Sequence, residues 1–109
     1  MKRVVITGIG IVSCLGNNQE EVYTSLLSSK SGITFSEEYK EYNLKSNVHG
    51  KPNIKLEDYV DRKFIRFMGP GSAYNYISMA EAVKDSGLEE KDVSNISTGM
   101  IMGSGGPSI

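Results

Sequence analysis

Five groups of residues in this chain have types and spacings that could do chemistry. The first is Gly8 and Gly10, which follow the β-branched run "RVVIT" directly. A glycine pair at a strand exit is how a backbone comes close to a pyrophosphate. The second is Cys14, the single cysteine, a candidate nucleophile or thiol ligand. The third is His49, the single histidine, a candidate base or ligand. The fourth is Arg62, Lys63 and Arg66, whose i, i+4 arginines share a helix face with a lysine beside them. The fifth is "GSGG" at 103–106, a glycine-rich exit from a second apolar run.

Spacing tests each of these. A dinucleotide fingerprint needs a third glycine three residues after the second, for close helix–strand packing. Here that place is Ser13, and Gly16 falls three residues later. No acidic residue follows a second strand at the required distance. Glycines serving the backbone at a tight strand exit are the simpler reading. "GSGG" lacks the spacing and the lysine of a phosphate-binding loop. A reactive cysteine needs a lowered pKa and an oxyanion partner. Nothing near Cys14 in sequence supplies them, so it reads as an inert, buried or half-buried thiol. One histidine without a second ligand at metal spacing makes a poor metal site, and His49 reads as structural. Three cations on a short helix form a positive patch suited to an acidic partner. The plainer reading pairs them with Asp58 and Asp61 on a solvated face, with Phe64, Ile65 and Phe67 turned inward.

The elements that must position these groups follow from pattern. Val4, Val5 and Ile6 predict a strand over 3–7, buried on both faces. Asn18 with Glu21 at N3 predicts a capped helix from about Gln19 to Ser28. Val22, Leu26 and Leu27 form its apolar stripe, and Gly32 is available to end it. "GITF" and "SNVHG" read as possible short strands and "PNIKLEDY" as loop, all within an excursion over 33–60 that suggests an insertion. A helix from about Asp61 should break at "GPG", 69–71, with Pro70 in the first turn of a new one. That helix, 72–86, carries Ala73, Tyr76, Ile77, Ala80 and Val83 on one face and stops at Gly87. Its apolar surface is wider than a chain this small covers. "TGMIM", 98–102, predicts a second strand. The order is strand, helix, excursion, helix, strand, an α/β pattern. Two strands do not make a stable sheet, which predicts a fragment of a larger protein; a small complete domain with a loose tail is the alternative.

Composition narrows the classes. Hydrophobic content of 39%, charged content of 23% and a net charge of −1 suit a soluble globular chain. They give no global basic field for nucleic acid. No stretch approaches the ~20 apolar residues of a membrane-spanning helix. The apolar N-terminus is interrupted by Thr7, Gly8, Gly10 and Ser13 and lacks a signal-peptide cleavage site. A lone cysteine excludes an internal disulfide framework and fits a reducing cytosol.

In order along the chain, "MKRVVITGIGIVSCLGNNQEEV", "SGITF", "DRKFIRFM", "SMAEAVKDSGL" and "GMIMGSGG" resemble the N-terminal part of β-ketoacyl-acyl carrier protein synthases. These are the condensing enzymes of bacterial fatty acid synthesis. "DRKFIRFM" and "GSGG" favour the type I subgroup over type II. The resemblance implies the N-terminal portion of a thiolase-like α-β-α-β-α layered fold, incomplete in this chain. Residues 1–109 would be part of its N-terminal half, with no complete second domain. It implies a cytoplasmic homodimer acting on acyl and malonyl thioesters, with acyl carrier protein as partner and no cofactor, metal, nucleic acid or membrane. The implied reaction is a decarboxylative Claisen condensation. The family's nucleophilic cysteine and two histidines lie downstream, so residues 1–109 hold no catalytic residue and should be inactive alone. Arg62, Lys63 and Arg66 match positions that grip the carrier protein. Gly106 matches a position beside the acyl pocket and dimer interface where type II enzymes carry a bulkier residue. Pro107 and Gly69-Pro70-Gly71 depart from the family pattern. A small dinucleotide-binding or non-enzymatic α/β module is the competing reading.

Overall fold

The computed structural model describes residues 2–105. The chain divides into two units: one takes residues up to Ile11 and from Lys55 onward, the other Val12–Ile54. The second unit is a single excursion from the first along the sequence; it begins well before the 33–60 stretch that pattern singled out and overlaps it only over 33–54.

The excursion holds α1 (Gln19–Leu27), β1 (Thr34–Phe35), α2 (Glu37–Glu41) and β2 (Val48–His49). Asn18 caps α1 as its type predicts, its side chain accepting the Glu21 amide at 2.9 Å. The return contact is displaced by one residue, because Glu21 Oε2 accepts from the Asn17 amide at 2.8 Å. Val22 and Ser25 are the buried positions of α1, and the Ser25 hydroxyl donates to the Leu15 carbonyl at 2.7 Å. Leu26 and Leu27, expected in the apolar stripe, are exposed. The helix stops before Gly32, with Ser29 in the left-handed region at φ 53°. The Ser29 amide donates to Leu26 O (3.1 Å) and the Lys30 amide to Ser25 O (2.8 Å), the paired bonds of a Schellman ending. α2 is begun by Ser36, whose Oγ accepts from the Tyr39 amide at 3.2 Å. It ends in the same way as α1: Asn43 sits at φ 52° and the Asn43 and Leu44 amides donate to Lys40 O and Tyr39 O. The two expected short strands pair antiparallel, Thr34 opposite His49 and Phe35 opposite Val48. Gly32 has a different task from the expected one. A methyl group there would lie 2.7 Å from Cys14 Sγ.

The other unit holds a 3₁₀ turn (Leu56–Asp58), α3 (Arg62–Ile65), α4 (Pro70–Ser86) and α5 (Glu90–Val93). Gly69 is the N-cap of α4, Pro70 stands in its first turn, and Gly87 closes it at φ 70°. α5, which lacks apolar periodicity, is begun by a reciprocal capping box between Glu89 and Asp92. Val60, Ala73 and Ile77 form the buried core of this unit. The other members of the expected α4 face are more open: Tyr76 and Ala80 are exposed.

Two expectations are corrected. Residues 3–7 and 98–102 form no strand. A strand exists only through hydrogen bonds to a neighbour, and among the described residues neither segment has one. Val4 and Ile6 are accordingly 94% and 85% exposed. The glycines that follow serve close approach to a helix in place of a tight turn. A methyl on Gly8 would run into the Ala82 carbonyl and lie 2.7 Å from Ser86 N; one on Gly10 would run into the Ser78 carbonyl and lie 2.8 Å from Ala82 N. Neither glycine has a positive φ.

Candidate functional site

The cationic cluster is built on a single turn of helix. The Leu56–Asp58 turn leads into buried Val60, whose amide donates to Leu56 O at 2.9 Å. Asp61 then caps α3 by accepting the Lys63 amide at 3.0 Å. Its other carboxylate oxygen pairs with Lys63 Nζ at 3.4 Å. Arg66 is the C-terminal cap residue and keeps helical backbone angles, so the i, i+4 relation to Arg62 holds through the end of the turn. All three cations are exposed. Among the described residues neither Arg62 nor Arg66 has an ion pair, and the expected partnership with Asp58 does not form.

The expected inward side of this helix is corrected. Phe64 and Phe67 are 52% and 78% exposed, while Ile65 and Met68 are the partly covered positions. These two lie i, i+3 and define the packed line of the turn. The phenyl rings instead carry the cations: Lys63 Nζ lies 5.0 Å from the Phe64 ring centre and the Arg66 guanidinium 4.8 Å from that of Phe67. Such contacts hold long basic side chains near the surface they cover. The aromatic residues that directly follow Lys63 and Arg66 were the available sequence signal, but their outward direction depends on the packing of Ile65 and Met68.

The remaining candidates stand apart from this cluster in the chain. Cys14 is half-buried at the tip of the turn from Ser13 to Gly16, where the two end residues exchange backbone hydrogen bonds at 2.9 and 3.3 Å. Gly32 and Gly50 crowd its sulfur. His49 packs edge-on against Tyr39, ring centres 5.4 Å apart. Among the described residues no group of three or more His, Cys, Asp or Glu could hold a metal ion, and no helix is long and apolar enough to cross a membrane. The glycine pair at 8 and 10 faces the backbone of α4 at a distance that leaves no room for a phosphate on that side. Of "GSGG", residues 103–105 are described and Gly106 lies outside the described residues. Gly103 O accepts from Asn75 Nδ2 at 3.0 Å, which ties this segment to α4. Beside it Ser72, Asn75, Tyr76, Met79, Met100 and Met102 line a largely apolar cavity of about 320 Å³.

Residues 1–107 match the family described as the N-terminal domain of β-ketoacyl synthase. The chain belongs to this family. Among its curated relatives, 3-oxoacyl-[acyl-carrier-protein] synthase 1 of Haemophilus influenzae is 50% identical over 96% of this chain and 26% of the relative. The Escherichia coli synthase 1 is 49% identical over 99% of this chain and 27% of the relative. A synthase 2, from Vibrio cholerae, is 32% identical over a similar span. The β-ketoacyl synthase resemblance, and its type I character, are therefore shown. The chain spans about a quarter of the length of these relatives. The mixed helix and strand content is compatible with an α/β fragment of a β-ketoacyl synthase domain.

Proposed function

We propose that this chain is the N-terminal part of a fatty acid condensing enzyme, a 3-oxoacyl-acyl carrier protein synthase of type I. The observation that carries the reading is the continuous match over 1–107 together with about half of all residues shared with two synthases of that name. The parent would be a cytoplasmic homodimer of thiolase-like layered subunits. An acyl group held as a thioester on a cysteine outside this chain is attacked by the carbanion that malonyl-carrier protein leaves when its carboxylate departs as CO₂. The new carbon–carbon bond forms as the cysteine thiolate is released. Residues 1–109 contribute scaffold and recognition to that cycle, without the nucleophile.

Recognition falls to Arg62, Lys63 and Arg66, placed to meet an acidic helix of the carrier protein. Three exposed cations in one turn, on a chain of net charge −1, give a local field that orients an anionic partner. Gly106, by its place in the family, leaves the acyl pocket open to a long chain.

Titration of the 109-residue chain with acyl carrier protein at two salt concentrations tests the patch. Binding should weaken as salt rises, and Arg66→Glu should lower affinity about tenfold. Unchanged affinity in that variant would remove the patch from the assignment. Condensation activity should be absent from the chain alone; turnover by purified 1–109 would show that the nucleophile is misplaced. The rival nucleotide-binding reading is disfavoured by the glycine pair, whose open Cα face is occupied by α4. Calorimetric binding of NAD or NADP would restore it.

A further inference from the structure

We propose that Glu81 and Asp85 of α4 form a two-point latch that fixes the register of the N-terminal segment on the helix. The Ile9 amide donates to Asp85 Oδ2 at 3.0 Å and the Ile11 amide to Glu81 Oε2 at 2.8 Å. The segment runs antiparallel to the helix, since the higher number on one side meets the lower on the other. The spacing works because two periodicities coincide. Four residues of helix rise about 6 Å. Two residues of extended chain advance about 6.6 Å. Carboxylates at i and i+4 therefore stand opposite amides at j and j+2.

The glycines and the carboxylates specify different things. Gly8 meets Ala82 and Ser86, and Gly10 meets Ser78 and Ala82, at backbone distances no Cβ tolerates. This sets which alternate residues face the helix, because a shift of one would drive Ile9 into the same space. The carboxylates set the step. A shift of two toward the start of α4 would leave the Ile11 amide opposite Ile77, whose buried hydrocarbon side chain offers no acceptor. It would also bring Ile6 into the space Gly8 occupies. A shift of two the other way would put Ile9 opposite position 89, beyond the left-handed turn at Gly87. Glu89 is already engaged there with Lys91 and the capping box of α5. Val12 would then occupy the place of Gly10. One register alone satisfies both amides without a steric conflict. The segment is thus placed by side-chain acceptors where a strand would ordinarily be placed by a neighbouring strand.

Amide hydrogen exchange on the 109-residue chain, read residue by residue by NMR, tests the latch. Glu81→Ala should accelerate exchange at Ile11 about tenfold or more while interior amides of α4 keep their wild-type rates. Asp85→Ala should do the same at Ile9. Glu81→Gln should restore protection at Ile11, since its side-chain carbonyl can still accept. Unchanged exchange at Ile11 in Glu81→Ala would overturn the latch. So would acceleration spread evenly through α4, or a failure of Glu81→Gln to protect.

Discussion

Asp61 holds Lys63 twice, accepting its amide at 3.0 Å and pairing with its ammonium group at 3.4 Å. One of the three cations of this turn is thereby partly neutralised, while Arg66 leans on Phe67 and has no ion pair among the described residues. The three should therefore contribute unequally to any anionic partner. Exposed pairs contribute ~0.2–1 kcal/mol each. Charge reversal at Arg66 is expected to cost more carrier-protein affinity than the same change at Lys63. Asp61→Asn keeps a good capping side chain and removes the internal pair. It should raise affinity about two-fold at low salt and leave it unchanged at high salt, as measured by titration calorimetry.

The two helix endings in the excursion predict unequal responses to glycine. Ser29 occupies left-handed backbone at φ 53°, which costs a residue with a Cβ about 1–2 kcal/mol. Ser29→Gly should stabilise the chain by roughly 0.5–1 kcal/mol once the added freedom of the unfolded glycine is counted. Asn43, in the same conformation, tolerates it better, and Asn43→Gly should change stability by less than about 0.5 kcal/mol. Denaturant midpoints at equal slope measure both.

Gly10 and Gly103 differ in what surrounds them. Backbone atoms of Ser78 and Ala82 stand where a Cβ on Gly10 would go, whereas Gly103 faces open space. Rigid backbone cannot yield as a side-chain tip does. Gly10→Ala should destabilise by about 1–3 kcal/mol or more. Gly103→Ala should stay within about 0.5 kcal/mol. Thermal unfolding followed by circular dichroism separates them.

Ile77 and Leu26 give a matched test of where the core lies. Ile77 is buried and Leu26 is not. Ile77→Ala is expected to cost about 2 kcal/mol, the low end for such deletions, because only Val60 and Ala73 are buried with it among the described hydrophobic residues of this unit. Leu26→Ala should be close to neutral, despite the similar place of both residues in the helical pattern. Chemical denaturation of the two variants checks the difference.

What was legible in the sequence was mostly local. Pro70 and Gly87 bounded α4, and Asn18 opened α1, because each acts on the backbone within a turn of itself. "GITF" and "SNVHG" were readable as short strands, but their pairing with each other was not. α2 and α5 escaped notice because Ser36 and Glu89 cap helices too short to show a period. Residues 3–7 and 98–102 have strand composition, but strand formation depends on a partner supplied elsewhere. The direction of Phe64 and Phe67 depended on which side of one helical turn packs, and four residues carry too little periodicity to show that. At the candidate site the identities of the cations were readable. The claim of Asp61 on Lys63 and the aromatic rests beneath two of the cations were geometric facts beyond pattern.

The unpaired run at Val4 to Ile6 has a consequence during synthesis. In a parent of the relatives' size that opens with this segment, as proposed above, this quarter leaves the ribosome first. At about 5–20 residues per second, on the order of tens of seconds pass before the remainder is made. Through that interval an exposed β-branched run, with no strand partner among the described residues, waits for the rest of the chain. Nascent chains of this kind are therefore expected to be held by chaperones early, through this run, until the remainder is made.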